Sequence, residues 1–151
     1  MNKSRLIILI ILVFISCKKE KLTKVSETSS KVEVLKEQQS LCEDIIIDII
    51  ESSKENQEEK DGLLEFLKER GGTSYGYMLE SCPNPNKDVL VKSEYYEFNF
   101  HASYPERMGV ISRYRFHPIK LILEKYDLVK NIYFEINYDE NLTINFIENC
   151  R

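Results

Sequence analysis

The spacing of apolar positions changes several times along this chain, and each change marks an element. Residues 6–15 are an unbroken apolar run behind Lys3 and Arg5. Residues 18–34 are rich in Lys, Ser, Thr and Glu, with few large apolar groups to offset the entropy of ordering them. With Cys17 they read as a flexible tether over residues 17–34. From residue 35 the pattern turns helical: Leu41, Cys42, Ile45, Ile46, Ile49 and Ile50 share one face, which predicts an amphipathic helix over residues 35–53. Ile47 falls off that face and implies deep burial or a partner. Asn56 followed by Glu59 resembles a capping box, and a second helix runs from there to Arg70 with Leu63, Leu64, Phe66 and Leu67 apolar. Gly62 weakens its middle or shifts its start, and Gly71-Gly72 supplies the left-handed stop.

From Thr73 the period becomes two. Residues 74–79 read as a strand, Pro83-Asn84-Pro85-Asn86 as a turn cluster, and residues 90–101 and 108–117 as two strands joined by Tyr104-Pro105-Glu106-Arg107. Residues 119–126 and 131–138 can supply two more strands, although residues 120–125 also fit a short helix. At the end, Leu142, Ile144 and Phe146 alternate like a strand, while Leu142, Phe146 and Cys150 share a helical face with Asp139 as N-cap. The helix is the reading adopted. Helices segregated from strands define an α+β domain over residues 35–151. It is an antiparallel meander of four to five strands against two N-terminal helices and a C-terminal one.

Core packing also sets a register. Tyr96, Phe98 and Phe100 must share a face with Val110, Tyr114 and Phe116, and pairing Phe98 with Tyr114 achieves this. The opposite face then carries Glu97, Asn99 and His101 beside Ile111, Arg113, Arg115 and His117. Glu97 lies opposite Arg115 as a cross-strand ion pair, Asn99 opposite Arg113, and His101 opposite Ile111. His117 faces Tyr95, so the two histidines sit at opposite ends of the hairpin. A solvated sheet face accounts for this strip. As a site, Asn99, His101, Arg107, Arg113 and Arg115 would bind an acidic group on a partner. The nine tyrosines lie in the β region, where the type suits both strands and interfaces.

The first seventeen residues point to a location. A charged start, an apolar run too short to span a bilayer and a small residue at the cut site define a secretory signal over residues 1–16. Phe14-Ile15-Ser16-Cys17 resembles the lipobox of bacterial lipoproteins, with Phe14 departing from the usual Leu. That resemblance implies lipidation of Cys17, and two or more acyl chains give stable anchoring. Lys18-Lys19-Glu20-Lys21 carries no Asp after the Cys and no acidic export tag, which by the same resemblance implies an outer membrane position facing the periplasm. Tyr104-Pro105-Glu106-Arg107, Arg113-Tyr114-Arg115-Phe116 and residues 133–138 with Asp139 resemble small Bacteroidetes lipoproteins of unknown function, a likeness that brings no activity with it.

Removing residues 1–16 takes two of the 21 basic residues and none of the 25 acidic ones, which moves the formal net charge from −4 to −6. A mildly acidic chain without a basic patch argues against nucleic acid as a partner. With Cys17 on lipid, Cys42, Cys82 and Cys150 remain, and an exported compartment permits disulfides. Three pairings exist. Cys42–Cys150 is favoured because both residues sit on apolar stripes that must meet, against three buried thiols. No CxxC and no nearby His argue against zinc, and no cofactor motif is present. No nucleophile–base pair is visible. The expectation is therefore a non-enzymatic envelope lipoprotein that binds a partner. The alternatives are an inhibitor of a toxin or lysozyme-like enzyme and, from another class, a hydrolase using His101 or His117.

Overall fold

The computed structural model describes residues 25–85 and 91–151. The chain divides into two compact units, Met1–Val34 and Leu35–Arg151. The first unit contributes ten described residues, 25–34, all helical in backbone. The tether expected over residues 17–34 is thus helix in its second half, and residues 17–24 lie outside the described residues. This helix, α1 (Val25–Ser52), continues into the second unit. Among the described residues no helix is long and apolar enough to cross a membrane.

In the second unit α1 buries Cys42, Ile45, Ile46, Ile49 and Ile50, the stripe that the spacing marks. Leu41, expected on it, is exposed, and Ile47 packs against the edge of the core. The next cap is Ser53 rather than Asn56: the Ser53 side chain accepts from the Asn56 N–H at the start of α2 (Lys54–Lys60). The predicted second helix is two. Gly62 takes a left-handed conformation (φ 65°) and turns the chain from α2 into α3 (Leu63–Glu69). Gly71 (φ 79°) ends α3, with its N–H on the Lys68 carbonyl and that of Gly72 on Leu67, a Schellman stop that a side chain at φ > 0 would strain.

Six strands follow: β1 (Ser74–Cys82), β2 (Val91–Lys92), β3 (Tyr96–Tyr104), β4 (Arg107–His117), β5 (Ile122–Asp127) and β6 (Ile132–Glu135). Their order is β2-β1-β3-β4-β5-β6, antiparallel throughout except that β2 pairs parallel with the end of β1. The α+β class therefore holds, with one more strand than expected. Residues 122–125, where a helix was an alternative, are strand. The C-terminal segment is α4 (Leu142–Cys150); its N-cap is Asn141 rather than the expected Asp139, whose carboxylate instead accepts from the Asn141 N–H in the turn before the helix.

The predicted register is observed for Phe98 with Tyr114, Glu97 with Arg115 and Asn99 with Arg113. A bulge between Phe100 and His101 then shifts it, so His101 pairs with Val110 rather than Ile111. One extra residue on β4 reverses the faces beyond it. Ile111 packs toward the core and Val110 is exposed, the opposite of the sequence expectation.

The core lies between one sheet face and the helices. Tyr96, Phe98 and Phe100 from β3, Tyr114 and Phe116 from β4, and Leu123 from β5 are buried with the α1 isoleucines. Phe146 of α4 meets Phe116 edge-on at 5.0 Å between ring centroids and Tyr96 at 6.1 Å. Fully burying a side chain of this size contributes roughly 1.5–3 kcal/mol, so that ring is one of the fastenings of α4. Cys42 and Cys150 also join α1 to α4 in a disulfide, with Cα atoms 5.7 Å apart, and Cys82 is buried outside the bridge.

Candidate functional site

The sheet face turned away from the core is open: Met78, Glu80, Arg113, Val110 and Glu135 are exposed on it. Strand alternation delivers its residues. Glu97, Asn99 and His101 come from β3, Arg113 and Arg115 from β4, Glu124 and Tyr126 from β5, and Tyr133 from β6. Tyr95 precedes β3 and is oriented by the Ser93 hydroxyl, which accepts from its backbone N–H.

Arg115 is the hub. Its guanidinium lies 4.3 Å from the Tyr95 ring centroid and 3.9 Å from that of Tyr133. It donates twice to Glu124, Nε to Oε2 at 2.7 Å and Nη2 to Oε1 at 3.1 Å. The Glu124 carboxylate, through those bonds, holds the guanidinium proton more firmly than usual. The ion pair expected with Glu97 is therefore made with the strand on the other side. Glu97 sits at the right register but accepts from the Ser81 hydroxyl at 2.7 Å and from Ser93 Oγ at 3.5 Å.

From this hub a ladder of rings and cations crosses the sheet. Tyr133 meets Tyr126 at 5.0 Å, and Arg113 lies 5.7 Å from the Tyr126 ring. At the other end Tyr95 meets His117 edge-on at 5.1 Å. Cation–ring contacts of this kind contribute about 0.5–1 kcal/mol when exposed and more when desolvated. Arg115 is paired with Glu124, whereas Arg113 is exposed and has no carboxylate at ion-pair distance among the described residues. Arg113 is the member of the ladder free to meet a partner.

The remaining predicted residues are only partly gathered here. Asn99 faces Arg113 and donates to Glu80 at 2.7 Å. His101 lies one pair further along, between Gly76 and Val110, and its Nδ1 is buried without a hydrogen-bond partner among the described residues. Arg107 is at the hairpin tip, over the Tyr104 ring at 5.0 Å, and does not join the others. His117 is buried at the far end, with Nδ1 accepting from the Ile119 and Lys120 N–H groups. Cys17, the expected lipidation site, lies outside the described residues. The tyrosines Tyr95, Tyr126 and Tyr133 are the site residues that strip-by-strip reading missed; their alternation with Arg113 and Arg115 across three strands was the available signal.

A second polar cluster lies on the core side and centres on Glu59, which the sequence offers only as the capping-box partner of Asn56. Glu59 of α2 points at the sheet. Its Oε2 accepts from Ser112 at 2.8 Å and from Tyr114 at 2.6 Å, and its Oε1 pairs with Lys125 at 2.6 Å. Buried Asn56 completes the set, donating to the Tyr114 oxygen at 3.3 Å and accepting from the Tyr77 hydroxyl at 2.9 Å. Burial pushes both hydroxyls well above the ordinary tyrosine range, helped at Tyr77 by the Glu51 carboxylate and at Tyr114 by its bond to Glu59. Every oxygen of Glu59 is engaged within the protein, so the cluster fastens α2 to the sheet rather than waiting for a ligand. Among the described residues no group of three His, Cys, Asp or Glu side chains could hold a metal ion.

Compared with protein-family models, with curated proteins and with solved structures, the chain matches none of them.

Proposed function

We propose that this chain is a non-enzymatic lipoprotein of the bacterial cell envelope, anchored through Cys17, whose open sheet face binds a protein partner. The observation that carries the binding role is the ring-and-cation ladder on an uncovered face, ending in Arg113, which has no carboxylate at ion-pair distance among the described residues. Aromatic rings and arginine are the side chains that interfaces favour. The location is supported by the charged start, apolar run and Ser16-Cys17 of the leading segment. It is also supported by the Cys42–Cys150 bridge, since such bonds persist in oxidising compartments.

Immobilised wild-type protein should retain from envelope extract a species that the Arg113→Glu variant loses by about tenfold or more, the scale of one charge reversed at a contact. A Lys54→Glu variant, altered on the exposed face of α2, should retain it. Equal retention by wild type and Arg113→Glu overturns the reading of the face. A captured hydrolase that loses activity in the complex would make the partner an enzyme and this chain its inhibitor, the second role that a small acidic envelope protein can fill. The anchor is tested separately: Cys17→Ser should release the protein from the membrane fraction with the domain folded, and a processed Cys17→Ser protein that stays fully membrane-bound refutes lipidation there.

A further inference from the structure

The turns that flank β5 are built alike with different capping chemistry. In residues 127–131 the Asp127 carboxylate accepts from the N–H groups of Val129 (2.9 Å) and Lys130 (3.0 Å), and the Asn131 N–H closes on the Asp127 carbonyl at 2.8 Å. In residues 117–121 the same places are taken by His117. Its Nδ1 accepts from the N–H groups of Ile119 (3.2 Å) and Lys120 (3.3 Å), and the Leu121 N–H closes on the His117 carbonyl at 2.8 Å. The fifth residue is left-handed in both turns, Asn131 at φ 58° and Leu121 at φ 57°. Asn tolerates that conformation, whereas a leucine held there is strained.

The strained turn is kept closed from outside. The Arg151 guanidinium donates to the Pro118 carbonyl (3.0 and 2.7 Å) and the Ile119 carbonyl (2.6 Å), and the Tyr138 hydroxyl donates to the Leu121 carbonyl. Arg151 is placed there by its neighbour Cys150, bonded to Cys42. On its other side the His117 ring supports Tyr95, and Tyr95 stacks on Arg115.

We propose that His117 is a proton-operated catch: accepting a proton at Nδ1 opens the residue 117–121 turn and loosens the Tyr95–Arg115 end of the open face. Nδ1 holds both amides through its one ring lone pair, so a proton there replaces two acceptor contacts with N–H facing N–H. Histidine is the side chain that ordinarily gains its proton near neutral pH. The charged and titratable groups around it are the Arg151 guanidinium on the turn carbonyls, Lys120 within the turn, and the Tyr95 ring with Arg115 behind it. No carboxylate bonds the ring among the described residues, so the protonated form gains no counter-ion. The Asp127 turn is the internal contrast: the Lys130 and Val129 amides hold its carboxylate below the ordinary aspartate range, and it stays capped through mild acid.

The consequence for binding rests on the open face being the binding face; the catch itself does not. Amide hydrogen exchange on the full chain without any partner tests it. Between about pH 7.5 and 5, the protection factors of Ile119 and Lys120 should fall about tenfold or more, the loss expected when a local hydrogen-bonded unit opens, while those of Val129 and Lys130 hold. The Tyr95 ring and Arg115 Nε–H resonances should shift over the same pH range. In His117→Asp, which copies the Asp127 turn, the change should vanish, and in His101→Asn it should persist. Unchanged protection of Ile119 and Lys120 in wild type, or loss of the transition in His101→Asn, overturns the catch. Opening of the turn with no shift at Tyr95 or Arg115 refutes its link to the face. A failed search for partners leaves these exchange results standing.

Discussion

Replacing Glu59 with alanine should lower the unfolding free energy by about 2–4 kcal/mol, the range for leaving buried polar partners and an ion without their acceptor. The cost follows from what the carboxylate holds. Its removal leaves Lys125, packed 17 % exposed over the Tyr114 ring, without its counter-ion. It also leaves the Ser112 and Tyr114 hydroxyls without the oxygen they share. Tyr114 keeps its contact with Asn56, so the loss is not total. Glu59→Gln should cost less, because an amide oxygen can still accept from one hydroxyl while the pairing with Lys125 is lost. The double variant Glu59→Leu with Lys125→Met should recover part of the loss, since an ion pair replaced whole by apolar groups leaves no stranded charge. Urea unfolding of the four proteins gives the comparison. If Glu59→Ala unfolds at the wild-type midpoint, the cluster is not the fastener described.

That cluster shows where sequence reasoning stops. Glu58, Glu59 and Lys60 look like a solvated helix face because charge and spacing are local properties. Only the placement of α2 over Ser112 and Tyr114 buries the middle one. Where a single period governs an element, the chain is legible: Cys42, Ile45, Ile46, Ile49 and Ile50 define the buried stripe of α1. Phe98 against Tyr114 fixes the hairpin register over its first half. The bulge at Phe100/His101 breaks the second half, and two adjacent apolar residues, Val110 and Ile111, are compatible with either face until the partner strand chooses. Arg115 is a similar case. Both neighbouring strands offer it a glutamate, and the choice of Glu124 becomes clear only once the hydroxyls of Ser81 and Ser93 are seen on Glu97. The candidate site was thus half visible: its arginines and Asn99 from alternation, Tyr126 and Tyr133 only from the order β4-β5-β6. At the C-terminus, helical and strand spacings both fit, and Phe146 decides for the helix because a buried seat against Phe116 and Tyr96 is available to it there.

Opening the Cys42–Cys150 bridge should have the larger effect, about 4–5 kcal/mol for a closed loop of this length. The bond joins residues 108 apart, so it ties nearly the whole domain into one covalent ring, and most of its contribution lies in restricting the unfolded chain. Two signatures separate that cause from lost packing. The dependence of stability on urea should steepen when the bridge is removed, because the freed chain expands and exposes more surface on unfolding. A packing defect would lower the midpoint without that change in slope. The Cys42→Ser, Cys150→Ser double variant and the reduced wild type should also agree, since Cys82 takes no part in the bridge. Locally, the end of α4 would then rest on Phe146, on Gln38 donating to the Asn149 carbonyl at 3.4 Å, and on Arg151 at the carbonyls of Pro118 and Ile119. Fraying should therefore begin at Asn149 and Cys150, and amide exchange there should rise before that of the α1 isoleucines. A reduced protein that keeps the oxidised midpoint and slope would show that the helices and the sheet hold the fold without the bridge, and that the chain does not depend on an oxidising compartment for its stability.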